Sequence, residues 1–108
     1  LYTLNKANGN VENAYAFLFH NTSSVAHTYT FELPDNPEIV IKRPKESLRL
    51  DAGEKSKQVV VLEASSNPNT TSENLIVPLR IRAFAEDAKN EVFVERESIF
   101  VYPPKSAQ

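Results

Sequence analysis

The sequence predicts an all-β sandwich, and three observations carry that prediction. Apolar residues recur with a period of two: Tyr15, Phe17 and Phe19 fall on one face of the run VENAYAFLFH, and Tyr29, Phe31 and Leu33 do the same farther on. Clusters of Asn, Asp, Gly, Ser and Pro separate such runs at short intervals along all 108 residues. No stretch carries the 3.6-residue apolar period with which a helix buries one face.

Residues 1–4 alternate weakly and read as a short edge strand before the turn signal Asn8-Gly9-Asn10. Val11–His20 is the first long strand, about 33 Å if fully extended. The short polar side chains of residues 21–24 turn the chain, and residues 26–33 read as the returning arm of a hairpin. The two aromatic ladders would then form the floor of the core. Pro34, Asp35, Asn36 and Pro37 end that arm, because proline cannot donate to a ladder. Residues 38–43 (EIVIKR) alternate again until Pro44, residues 47–50 (SLRL) form a short strand, and residues 51–54 turn. Residues 57–64 (KQVVVLEA) are strongly β, with Val59 and Val61 opposed to Val60 and Leu62, so they read as a central strand apolar on both faces.

Residues 65–73 are the longest polar stretch and read as a mobile loop. Residues 74–86 place Val77, Leu79, Ile81 and Ala83 on one face, with Pro78 marking an edge or a bulge. Residues 87–90 turn, and residues 91–101 close the domain. There the apolar phase slips between Val92 and Val94 and the later Ile99 and Val101, which predicts a bulge within residues 95–98. Pro103 and Pro104 lead into a tail over 103–108. Seven or eight strands in about 100 residues favour an immunoglobulin-like β-sandwich of two antiparallel sheets. The antibody-type Cys and Trp core is absent, which argues against an antibody or receptor domain. The expected core is Tyr15, Phe17, Phe19, Tyr29, Phe31, Val59, Val61, Leu79 and Ile81.

A single domain accounts for residues 1–108, with its core over about 1–102. Position 1 is not Met, so the chain reads as a piece of a longer polypeptide. A net charge of -2 without any run of Lys and Arg points away from nucleic acid. The absence of Cys removes disulfides, thiolate catalysis and Cys-ligated clusters. No window approaches 18 apolar residues, so this segment is not expected to insert into a membrane.

Chemistry-bearing motifs are few. Asn21-Thr22-Ser23 and Asn69-Thr70-Thr71 match the glycosylation acceptor, but the match arises readily in polar turns. His20 and His27 flank the first turn and could face each other across it to hold copper or zinc. Lacking a third ligand nearby, they read as solvated rim residues. Glu86, Asp87, Glu91, Glu95 and Glu97 interleave with Arg80, Arg82, Lys89 and Arg96 in the manner of exposed strand faces. No Ser or Thr sits in a nucleophile elbow, and two glycines make no phosphate loop. No catalytic, cofactor-binding or metal residue is therefore expected.

Glu12, Asn13, Ala14 and Tyr15, followed by Phe17, Phe19, Asn21 and Thr22 and answered by Tyr29, Phe31 and Leu33, form a connected motif. It resembles the C-terminal domain of the FixG and CcoG family, cytochrome c oxidase accessory proteins, which show R-N-x-Y-x-L-x-L-x-N-K-S/T and then x-F-x-L. Residues 50–61 (LDAGEKSKQVVV) look like that domain's turn before a V-x-V strand, and residues 77–83 and 98–102 resemble its last two strands. Glu12 stands where the family often has Arg, and Phe17 and Phe19 replace aliphatics.

The resemblance implies an immunoglobulin-like appendage of a bacterial inner-membrane polyferredoxin. Such a parent carries two 4Fe-4S clusters and assists assembly of a haem-copper oxidase by reducing copper. The domain itself would be periplasmic, non-enzymatic and without a cofactor. Its partners would be oxidase-assembly proteins or other domains of its parent. The alternative is a generic bacterial adhesin-like or carbohydrate-binding sandwich.

Overall fold

Alternation in Val11–His20 produces a ten-residue strand, β2, and the computed structural model places its inward face against a second sheet rather than beside a hairpin partner. The structure describes residues 2–5, 7–65, 75–88 and 93–103. Within them the chain forms eight strands: β1 (Thr3–Leu4), β2 (Val11–His20), β3 (His27–Glu32), β4 (Val40–Arg43), β5 (Leu48–Leu50), β6 (Lys55–Ala64), β7 (Leu75–Ala85) and β8 (Phe93–Tyr102). They make two antiparallel four-stranded sheets, ordered β1-β2-β6-β4 and β5-β3-β7-β8. The all-β sandwich expected from the sequence is what forms. The expected loop over 65–73 falls, except for Ser65, outside the described residues, as do 89–92 and most of the tail.

The expected hairpin is corrected. β2 pairs with β6 and β3 with β5 and β7, so residues 21–26 cross from one sheet to the other. Side by side in one sheet, the two aromatic ladders would make a single apolar face still needing a cover. In opposite sheets each covers the other, and the Phe19 and Phe31 rings meet edge to face with centroids 5.3 Å apart.

Register also corrects the predicted core. Residues directly opposite in an antiparallel pair share a face. Tyr15 lies opposite Val60 and Ala16 opposite Val59, so Val60 and Leu62 turn inward while Val59 points out, 56% exposed. Val61 is buried but on that outer face, flanked by its register partners Ala14 and Arg43. A strand apolar on both faces does not choose its phase; its neighbour chooses. The core cluster joins Val11, Phe31, Ile39, Val60, Leu62, Leu79, Ile81, Phe100 and Tyr102, with Tyr15, Phe17 and Phe19 half-buried against it. Tyr29 lies outside that cluster, edge-on to His27.

The bulge expected within 95–98 does not form. Register between β7 and β8 is unbroken from Leu75 opposite Tyr102 to Phe84 opposite Phe93. The apolar phase is interrupted in the sequence because Arg96 and Ser98 occupy the inward face between Val94 and Phe100. The irregularity lies instead between Ile41 and Arg43, where β4 meets β6. Pro78 stands opposite Ile99, beyond the end of the β3 pairing at Arg82, so β7 is flanked on one side only at that point and no ladder needs a donor there.

Candidate functional site

β1 pairs with only Val11 and Glu12, which among the described residues leaves the rest of that edge of β2 without a strand beside it. β8 is the edge strand of the opposite sheet. Where the two edges run together at the β8 C-terminal end, side chains fasten them. The buried Asn13 amide donates from Nδ2 to the Val101 carbonyl at 3.0 Å and accepts the Val101 N–H on Oδ1 at 2.8 Å. It thus serves both backbone groups of Val101 as a neighbouring strand would. The Tyr15 hydroxyl donates to the Ile99 carbonyl at 2.6 Å, and burial pushes this phenol up to about 12.

A folded-state phenol pKa raised above the ordinary value of about 10 stabilises the neutral form. Its contribution is complete below pH 10 and is lost as pH rises through 12. We predict that Tyr15→Phe costs about 1 kcal/mol at neutral pH, the worth of one hydrogen bond, and flattens the alkaline fall in stability. Burial raises Tyr29 and Tyr102 as well, so part of that fall persists. Denaturant midpoints at pH 7 and pH 11 check this. An alkaline slope unchanged in the variant would contradict it.

Beyond Tyr15 the edges part into a cleft of about 490 Å³. β2 contributes residues 16–20, with Phe17 and Phe19 from its inward face and Leu18 and His20 from its outward face. β8 contributes Phe93, Val94 and Arg96, and Tyr29 and Leu50 lie on the other walls. A smaller hollow shares Phe17, Phe19, Val94 and Arg96 with the cleft and reaches Ile81 and Ala83 of β7. Arg96 therefore places a guanidinium at an apolar opening between the sheets. Its Nη1 donates to the neighbouring Glu95 carbonyl at 3.2 Å.

One end of the cleft is built by Asn21, which is fully buried. Its Nδ2 is shared among the carbonyls of Val25, Leu50 and Asp51 at 2.9 to 3.1 Å, while Oδ1 accepts the Ser23 N–H at 3.0 Å. Its backbone exchanges bonds with Gly53 and Glu54, and the positive φ of Gly53, 75°, is the left-handed geometry that favours glycine. The Asn21-Thr22-Ser23 triplet is thus turn architecture, with no nitrogen free for a glycan. Asn69-Thr70-Thr71 lies outside the described residues.

The histidines do not face each other across a hairpin. His20 is exposed at the end of β2, opposite Lys55. His27 begins β3 in the other sheet, buried, with Nδ1 3.1 Å from Asp87 Oδ1. Among the described residues no group of three His, Cys, Asp or Glu is placed to hold a metal.

Among the interleaved charges of β7 and β8, Arg80, Arg82 and Glu95 form ion pairs. Arg80 grips Asp35 with Nε at 2.6 Å and Nη2 at 2.9 Å and reaches Glu95 at 3.1 Å. Those bonds hold the Asp35 carboxyl below the usual range. Arg82 lies 3.7 Å from Glu32 and stacks over Phe93, 4.2 Å from the ring centre. At the far end of β2, Lys42 bonds Glu12 and holds its carboxyl low. Lys89 and Glu91 are outside the described residues.

Sequence reading missed Asn13, Asn21 and Arg96. Asn13 was visible only as a motif letter, and Asn21 only as one of the polar turn residues and a glycosylation match, not as the buried hub of that turn. Arg96 could have been found by counting the inward phase back from Tyr102 and Phe100 without inserting a bulge.

A family model described as "IG-like fold at C-terminal of FixG, putative oxidoreductase" matches residues 1–103. The crystal structure of a FixG-related protein from Vibrio parahaemolyticus superposes with a TM-score of 0.70 at 19% identity, covering 94% of this chain and 91% of that one. At that identity the likeness is one of fold. Comparison with curated proteins gives no match.

Proposed function

Because the chain belongs to the family of immunoglobulin-like domains at the C-terminus of FixG, we propose that it acts as a non-catalytic interaction module of an inner-membrane iron–sulfur protein that serves cytochrome oxidase assembly and copper reduction. The supporting observation is the open cleft between β2 and β8, which, among the described residues, offers unpaired strand edges and the half-buried rings of Phe17 and Phe19 beside polar side chains. In this reading the parent carries two 4Fe-4S clusters and moves the electrons. The domain stands on the periplasmic side and contributes surface. Family membership takes precedence over the adhesin-like alternative, which rested on fold class alone.

The test is deletion of this domain from the full-length parent in its bacterium. Iron–sulfur content of the parent should stay unchanged while assembled, active oxidase falls. Wild-type oxidase levels, or loss of the clusters, would overturn the reading.

This reading also sets a metal prediction. Copper(I) prefers thiolate and thioether ligands, and the chain has neither Cys nor Met. Copper(II) has His20 and His27, but they sit in separate sheets and His27 is engaged by Asp87. Titration with copper(II), followed on the His resonances, should show no stoichiometric submicromolar site. Binding of that strength, lost in both His20→Ala and His27→Ala, would make the domain a metal carrier.

A further inference from the structure

We propose that the cleft between β2 and β8 is a strand-addition site for an extended segment of a protein partner, alternating in pattern and carrying a carboxylate that meets Arg96. The inference rests on the interaction-module reading and names its surface and the chemistry of its partner.

The backbone supplies the first argument. The bonds from Asn13 and Tyr15 show that Val101 N–H and C=O and Ile99 C=O point away from β7. Because the register is unbroken, the same groups of Glu97, Glu95 and Phe93 point the same way. Among the described residues no strand lies beside them, nor along the edge of β2 opposite β6 past Glu12. An added strand would satisfy one of these rows, as in β-augmentation generally.

Side chains supply the second. Phe17, Phe19 and Val94 form an apolar floor between the sheets, and Leu18 stands 65% exposed on the rim. Five residues of β2, 16–20, line the cleft, so an extended peptide covers it in about 17 Å. Alternate side chains of that peptide would enter the floor.

Charge decides the occupant. Among the described residues, Arg96 is the one permanently charged side chain in the lining, and none of those lining residues is a carboxylate. Glu95 is held by Arg80 on the outer face of the sheet, and Glu97 shares that face. Lys57 and Lys55 lie opposite Leu18 and His20, which adds positive charge at the rim. An acidic segment is thereby favoured, and a bidentate carboxylate suits a guanidinium. A second copy joined through this edge would set like groups together, because a two-fold interface places one patch against itself.

The test is NMR titration of the ¹⁵N-labelled 108-residue chain with the synthetic peptide Thr-Val-Thr-Glu-Thr-Val-Thr, its Glu→Lys form and a proline-interrupted form. Saturable shifts should map to residues 16–20 and 93–97, with the Lys form at least tenfold weaker and the proline form silent. Arg96→Glu, an exposed change that leaves the core intact, should reverse the preference between the Glu and Lys peptides. No saturable shift at millimolar peptide, shifts elsewhere, or equal affinity for the Glu and Lys peptides would overturn the proposal. So would self-association through these residues that the peptide does not displace. Failure here with oxidase still dependent on the domain rejects the cleft alone. Peptide binding intact with oxidase indifferent to deletion rejects the functional reading instead.

Discussion

Asn21→Ala is expected to cost about 3 to 5 kcal/mol, because each buried polar group left unsatisfied costs about 1 to 3 kcal/mol. The substitution strands the buried Leu50 carbonyl, the half-buried Val25 and Asp51 carbonyls and the Ser23 N–H together. Asn21→Asp should be no milder, since it keeps the acceptor for Ser23 but turns a carboxylate toward three carbonyls. Chemical denaturation measures the loss. A cost below about 1 kcal/mol, within the range of ordinary surface substitutions, would mean that water replaces the amide at the sheet crossover.

Phe100→Ala is expected to cost about 3 to 5 kcal/mol, the transfer and cavity terms of a wholly buried aromatic. Phe100 is fully buried and packs edge-on to Tyr102 with centroids 4.9 Å apart. For a domain holding roughly 5 to 15 kcal/mol, that loss takes much of the folded population at 37 °C. Phe17→Ala removes the same ring from a half-buried site at the cleft mouth and should cost clearly less. Equilibrium unfolding of the two variants side by side makes the comparison. A larger loss at Phe17 would show that the cleft is closed in solution and the core wrongly centred.

Period-two alternation was enough to find the strands because each buries one face, and Leu79, Ile81 and Phe31 fall in the core where that pattern put them. Sheet membership was not legible, since alternation says which face of a strand is apolar but not which strand lies beside it. Thus the ladders of Tyr15 and Phe31, expected as two arms of one hairpin, lie in opposite sheets, and Val59, expected in the core, is turned out by its register with Ala16. The site was less visible still. Its floor was written in Phe17 and Phe19, but its opening depends on β1 ending after Leu4 and on Arg96 occupying an inward position. Neither fact follows from local propensity. Asn13, Tyr15 and Asn21 of the FixG-like motif, expected as a motif letter, a core ring and a turn residue, share one physical task in the structure, bonding backbone groups that no described strand reaches.

Amide hydrogen exchange along β8 tests most directly the claim that the two sheets are clasped at one end of this edge and open at the other. Val101 N–H, held by Asn13 Oδ1, should exchange only through global unfolding. The Glu95 and Glu97 amides, facing the same way over the open stretch, should exchange rapidly in the free chain. Arg96 and Ser98, whose amides face β7, should be protected like Val101. Uniform protection of Glu95, Glu97 and Val101, or rapid exchange at Val101, would contradict the account.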